Sequence, residues 1–236
     1  GQMNMNGMFN GAYNFAHVPF NGNYVVKPTK NDDHLNGIST RDIVLLQRHL
    51  LGLDTLDSPL KIIAADANGD NYVSVGDMVE IRRLLLGYFA EFPSITSWRF
   101  VDGNHVFTDP ADPFIDIFDE KYVIDNMQGN MFSLDFDGVK VGDLDQSANP
   151  DQLKKNVIRS AELKTWKAEY LGNRVLFIAE NDMLVSGAQF TLNFDPREAQ
   201  LTEVSGESLG LDDRHIGVQD VTEGIIRVAY DSDSPQ

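Results

Sequence analysis

Oxygen donors fall at calcium-loop spacing in Asp66-Ala67-Asn68-Gly69-Asp70-Asn71-Tyr72-Val73-Ser74-Val75-Gly76-Asp77. Hard cations take oxygen ligands, and a 12-residue loop offers them from positions 1, 3, 5, 7, 9 and 12. Those positions hold Asp66, Asn68, Asp70, the Tyr72 carbonyl, Ser74 (directly or through water) and Asp77. Three carboxylates drawn together repel one another unless a cation stands among them. Asn71 occupies the sharp turn, a left-handed place usually given to Gly and open to Asn. Position 12 is Asp where the usual pattern has Glu. A solvated Asp/Asn turn is the plain alternative, and the flanking pattern argues against it.

The elements that must position this loop repeat. Ser39, Asp42, Val44, Arg48, Leu50, Leu51 and Gly52 recur 35 positions later as Ser74, Asp77, Val79, Arg83, Leu85, Leu86 and Gly87. Each copy reads as a loop, then a helix opened by an acidic residue and closed by Gly. Apolar residues on more than one face of each helix predict that the two pack on each other and on a neighbour. Between the copies, Ser58 and Pro59 predict an N-cap and a Pro at N1, opening a helix over Leu60 to Ala65 that leads into the loop. Aligning Asp42 with Asp77 places a second loop over Asn31 to Asp42, with Asn31, Asp33, Leu35, Gly37 and Ser39 at positions 1 to 9. Leu35 offers only a carbonyl, and Asp32 competes with Asp33 for the inward role. The reading is a modified calcium site with more backbone ligands, charged through Asp33 and Asp42, set against an empty loop. Asp143 and Asp145 could form half of another site, but are read as an acidic, solvated exit from the module.

A duplicated loop and helix with Asp-x-Asn-x-Asp and a Leu-rich helix ending in Gly resembles a type I dockerin. Asn36-Gly37-Ile38-Ser39-Thr40-Arg41-Asp42, Ala64-Ala65-Asp66-Ala67-Asn68-Gly69-Asp70 and Thr96-Ser97-Trp98-Arg99-Phe100-Val101 resemble the dockerin-like modules of large secreted Bacteroidetes-type proteins. The likeness covers about residues 30 to 150, ending near Val141-Gly142-Asp143-Leu144-Asp145-Gln146. It implies an EF-hand-like calcium module: one ion in Asp66–Asp77 and a second in Asn31–Asp42. Cellulosomal dockerins recognise cohesins partly through Ser-Thr at loop positions 10 and 11. Thr40-Arg41 and Val75-Gly76 stand there in this chain, which counts against cellulosome-type docking and leaves calcium binding untouched.

Either side of this module the pattern turns to strands. Tyr13 and Phe15, then Asn21-Gly22 and Tyr24-Val25-Val26, predict a hairpin turning at Asn-Gly. The phrase resembles the last two strands of a CnaB-like (prealbumin-like) β-sandwich. Residues 163–170, 174–180, 186–194 and 224–230 read as strands, and Ala188 to Pro196 followed by Leu201-Thr202-Glu203-Val204 resembles the first part of a cohesin-like sandwich. The expected organisation is multidomain: 1–30 from the first sandwich, 31–150 the small α-helical dockerin-like module with its β-rich extension, 151–162 a linker, and 163–236 from the second sandwich. Both all-β portions look incomplete, so further strands are expected from the same polypeptide or from another copy.

Composition narrows the function. A net charge of −17 argues against nucleic acid, whose phosphates it would repel. No stretch approaches the roughly 20 apolar residues of a membrane span. Without cysteine there are no disulfides or thiolate metal sites. The five histidines never fall into a zinc-protease pattern, and no phosphate loop or nucleophile elbow occurs. Asp116, Asp119 and Glu120 could supply a carboxylate pair for glycosidic chemistry, a weak signal in so acidic a chain. Trp98 is expected to anchor its strand rather than stack on sugar. These observations and the resemblance imply a non-catalytic, calcium-binding segment of a secreted or cell-surface bacterial protein, of adhesin or surface-assembly type, partnered through dockerin-like or β-edge contacts. The alternatives are the accessory region of a polysaccharide-degrading enzyme and a filament subunit joined by β-strand addition.

Overall fold

The computed structural model describes residues 11–150, 166–179, 186–206 and 210–232. The expected linker at 151–162 and the start of the strand expected from Leu163 lie outside them. Among these residues, three α-helices and nine short strands run in the order β1 (Tyr24–Val26), α1 (Thr40–Leu50), α2 (Pro59–Ala65), α3 (Val75–Leu86), β2 (Trp98–Asp102), β3 (Tyr122–Ile124), β4 (Phe136–Lys140), β5 (Trp166–Leu171), β6 (Arg174–Ala179), β7 (Gly187–Asn193), β8 (Ile216–Gly217) and β9 (Ile225–Asp231).

The helices start where the side chains can cap them. Ser39 caps α1 and Ser74 caps α3, each in a capping box completed by the Asp three residues on, Asp42 and Asp77. Ser58 caps α2 with Pro59 in its first turn. α3 ends on Gly87 in the left-handed conformation, where the Tyr88 N–H reaches back to the Arg83 carbonyl at 2.9 Å. α1 packs on α3 around fully buried Ile43, Leu46 and Ile81. α2 turns Ile63 and Ala64 into a second cluster with Val101, Val139 and Phe118, which ties it to the antiparallel β2–β4 pair.

The β-structure corrects the expected architecture. No pair of facing sandwiches flanks a helical module among the described residues; the chain is mixed α/β with small sheets. The Asn21-Gly22 hairpin does not form. Asn21 does take the left-handed conformation, at φ 59°, but the Asn21 N–H donates to the Met127 carbonyl and the Met127 N–H to the Gly22 carbonyl. β1 accordingly pairs with β3, far downstream. A short strand with no local partner takes the edge that is available, because its backbone groups need pairing somewhere.

The C-terminal sheet has the order β7-β9-β8, with β9 central. It lies on α1 and α3. Ala229 joins the helical core. A Cβ on Gly217 would run into the Leu86 carbonyl oxygen, so only glycine permits this approach. Arg82 of α3 makes a bidentate pair with Asp231 of β9, Nη2 to the two carboxylate oxygens at 2.8 and 2.7 Å, with both side chains buried. Truncating one partner of such a pair leaves an uncompensated charge and costs about 3–5 kcal/mol. The sheet is thus locked to the helices that carry the candidate metal ligands. No helix among the described residues is long and apolar enough to cross a membrane.

Candidate metal centre

The contiguous loop is built around two fully buried carboxylates, Asp66 and Asp77. Asp66 follows the last residue of α2 and folds the next turn about itself. Its Oδ1 accepts the Gly69 and Asp70 N–H groups at 2.9 and 3.1 Å, and its Oδ2 accepts that of Asn71 at 3.1 Å. Gly69 and Asn71 take the left-handed conformation at φ 76° and 62°. Asp77, in the first turn of α3, closes the loop from the other side. Its Oδ2 accepts from the Ser74 N–H and hydroxyl at 2.8 and 3.2 Å, and its Oδ1 from the N–H groups of Ala67 and Asn68 at 2.9 and 3.1 Å. Asn68 and Asp70 hold each other: the Asp70 N–H donates to Asn68 Oδ1 at 2.8 Å, and Asn68 Nδ2 to Asp70 Oδ2 at 2.9 Å. The Tyr72 ring is exposed, and its N–H donates to Asp70 Oδ1 at 2.9 Å. Burial raises the Asp66 pKa above the ordinary carboxyl value. The Asp77 charge adds to this, while the Asn71 and Gly69 N–H groups and the Arg99 charge oppose it.

The second centre has the same hydrogen-bond plan and a different chain path. Asp42, also fully buried, accepts on Oδ2 from the Ser39 N–H and hydroxyl at 2.8 and 3.0 Å. Its Oδ1 accepts from the N–H groups of Leu144 and Asp145 at 2.9 and 3.2 Å, the first of them 102 residues away. Asp143-Leu144-Asp145 therefore stands to Asp42 as Asp66-Ala67-Asn68 stands to Asp77. The correspondence continues. Asp143 accepts from the Ser147 and Ala148 N–H groups, four and five residues on, at 3.1 and 2.7 Å, as Asp66 does from Asp70 and Asn71. Leu144 and Ala67 are both wholly buried, and Gln146, at φ 56°, takes the left-handed conformation as Gly69 does. The Ser147 hydroxyl donates to the Gly37 carbonyl at 3.2 Å, and Gly37 precedes Asp42 by the spacing at which Tyr72 precedes Asp77. Gly37 lies at φ 87°, and a Cβ there would sit 2.7 Å from the Asp143 carboxylate. One loop of the Asp66–Asp77 pattern is thus divided, with positions 1 to 5 from Asp143–Ser147 and positions 7 to 12 from Gly37–Asp42.

Among the described residues, Asp42, Asp143 and Asp145 bring three carboxylates together, one oxygen of each within 4.8 Å of the others. The contiguous loop has Asn68 where the divided one has Asp145, and Asp70 where the divided one has Ser147, so each holds three carboxylates in a different arrangement. Burial, with the neighbouring Asp145 charge, pushes Asp42 up to about 6 against the N–H bonds it accepts. Burial likewise pushes Asp143 up to about 6. Lys140, beside this centre, is pushed down to about 8 by burial, and its ammonium donates to the His34 and Val141 carbonyls at 2.9 and 3.2 Å. A donor set of carboxylate, hydroxyl and carbonyl oxygens without sulfur or imidazole fits a hard cation such as calcium.

Of the residues expected at the second loop, the structure brings Ser39 and Asp42 into the centre. Asn31 is committed elsewhere: its Oδ1 accepts the Ser97 N–H at 2.8 Å and its Nδ2 donates to Glu91 at 3.0 Å. Asp33 lies in a turn, at φ 47°, where its carbonyl accepts the Asn36 N–H. The expectation of a solvated exit at Asp143 and Asp145 is overturned, because Asp143 is 3% exposed and engaged through both carboxylate oxygens. The signal for it was the Asp-x-Asp of Asp143-Leu144-Asp145, a second copy of Asp66-Ala67-Asn68. No protein-family model, curated protein or solved structure matches this chain.

Proposed function

We propose that this chain is a non-catalytic, calcium-stabilised structural and interaction segment of a large secreted or cell-surface bacterial protein, built around a dockerin-like module with two calcium sites. Asp66, Asn68, Asp70, the Tyr72 carbonyl, Ser74 and Asp77 would hold one ion. Asp143, Asp145, Ser147, the Gly37 carbonyl, Ser39 and Asp42 would hold the other. The observation that carries the reading is the shared bonding plan: Asp42 clasps Leu144 and Asp145 by the same two N–H groups with which Asp77 clasps Ala67 and Asn68. Calcium would supply the positive charge that buried, crowded carboxylates lack, so its binding energy becomes folding energy. Extracellular calcium is abundant enough to fill even weak sites, which suits a secreted protein of net charge −17.

Native mass spectrometry with a calcium titration tests this. Two ions per chain are expected, falling to one in Asp143→Ala. A chain that holds no calcium, or the same number of ions after that substitution, overturns the two-site reading.

A further inference from the structure

Arg99, on β2, stands beside the contiguous loop without belonging to it. Its Nη1 lies 3.8 Å from Asp66 Oδ2, and only 16% of its side chain is exposed. Two other contacts fix it there. Nε donates to Glu120 Oε1 at 2.8 Å, and the guanidinium lies 4.7 Å from the centre of the Phe118 ring. Its charge opposes the burial that raises the Asp66 pKa. The guanidinium is always charged, is more weakly hydrated than an ammonium, and stacks on aromatic faces, so this place suits Arg better than Lys.

The divided centre is served differently. Lys140 gives its protons to two backbone carbonyls, and Arg41, which pairs with Asp145 at 3.2 Å, is 74% exposed and free to leave. We infer that Arg99 is a fixed internal counter-charge that keeps the contiguous loop closed without metal and lowers its affinity for calcium. This rests on the calcium reading above. An incoming dication at position 1 meets a positive charge that cannot withdraw without breaking the Glu120 pair and uncovering Phe118. Glu120 moderates the effect by sharing the guanidinium.

Two substitutions of opposite sign test it, read by calcium titration against a competing chelator and by melting in calcium-free buffer. Asp143→Ala identifies which binding step belongs to the contiguous loop. Arg99→Met keeps apolar cover on Phe118. It should tighten calcium binding at this loop about tenfold (roughly 1.4 kcal/mol in binding free energy) and lower the calcium-free melting temperature. Glu120→Gln should do the reverse by removing the negative charge that shares Arg99 with Asp66, weakening calcium binding about threefold. Arg99→Lys retains the charge and should stay within threefold of wild type. If wild type binds calcium and Arg99→Met leaves that affinity unchanged or weaker, the inference is overturned alone. If wild type takes up no calcium, the inference falls together with the calcium reading.

Discussion

The two loops apply one bonding plan to two kinds of chain path. In the contiguous loop, Asp66 and Asp77 close a segment whose ends are already near in sequence. In the divided loop, Asp42 and Asp143 perform the same closure across most of the described helical and β2–β4 region. Loop-closure entropy grows slowly with length, so a long-range closure is affordable provided enough contacts reward it. Here the reward is visible: Leu144 fills the helical core, and the Gly142 N–H bonds the Ala64 carbonyl at 2.7 Å. The divided loop is therefore a clasp that fastens the return of the chain to the start of α1. The contiguous loop is a local corner between α2 and α3.

The sharpest way to break this comparison is to delete the equivalent carboxylates. Asp42→Ala and Asp77→Ala each remove the acidic half of a capping box and strand four donors. Each should cost about 3 kcal/mol at saturating calcium. Asp42→Ala should cost the more, because it also unfastens the 143–148 return. Amide exchange at Leu144, Asp145 and Ala148 should speed up in Asp42→Ala and stay slow in Asp77→Ala. Equal destabilisation with the return still protected in both would mean that the divided loop is no clasp.

The next effect is in pH. Asp42 and Asp143 have folded pKa values raised to about 6, above the roughly 4 of an unfolded Asp. Groups raised in this way bind protons more tightly when folded. The stability they contribute is fully present below about pH 4 and is lost as pH rises through about 6. Calcium-free protein should therefore melt at a higher temperature near pH 4.5 than near pH 7. Protein in calcium should show the opposite trend, as protons displace the metal. Asp102, Asp116 and Asp195 are lowered by hydrogen bonding and Asp212 is lowered to about 2, so their contributions are lost only below about pH 4. Replacing Asp42 and Asp143 together by Asn should flatten the calcium-free trend. A calcium-free chain that only loses stability on acidification to pH 4.5 would count against the buried, uncompensated carboxylates.

The difference in legibility between the loops has the same origin as the difference in path. Twelve adjacent residues fall within one window, so the Asp66–Asp77 loop can be read directly. The 35-residue repeat also pairs Ser39 with Ser74 and Asp42 with Asp77, and these prove to be matching N-caps and first-turn acids. The same repeat misleads about the first half of the second loop, because it assumes that the preceding residues, Asn31 to Leu35, continue the match. Local sequence carries no record of which distant Asp-x-Asp supplies positions 1 and 3. The strands behave alike. Alternation in Gln189 to Asn193 marks β7, the largely apolar run from Ile225 to Tyr230 marks β9, and Asn21-Gly22 marks a turn, but the partners are set by distant surfaces. β1 finds β3, and the β7-β9-β8 sheet finds two helices that already expose apolar residues on more than one face.

The smallest change makes position 3 of the two loops alike. Asn68→Asp places at position 3 of the contiguous loop the carboxylate that Asp145 places at position 3 of the divided one, and raises the contiguous loop's carboxylates from three (Asp66, Asp70, Asp77) to four. The added charge should draw calcium about tenfold more tightly. It should also lower calcium-free stability by about 0.5–1 kcal/mol. The Asn68 amide that now donates to Asp70 Oδ2 at 2.9 Å becomes a second carboxylate facing it, and like charges at a surface repel by about that much. Asp145→Asn is the mirror experiment. It should weaken calcium at the divided loop and raise calcium-free stability slightly, while releasing Arg41 from its pair. Titration of the two variants beside wild type measures both affinities. If Asn68→Asp leaves calcium affinity unchanged while Asp145→Asn weakens it, position 3 is a ligand only in the divided loop, and the shared bonding plan does not extend to a shared coordination.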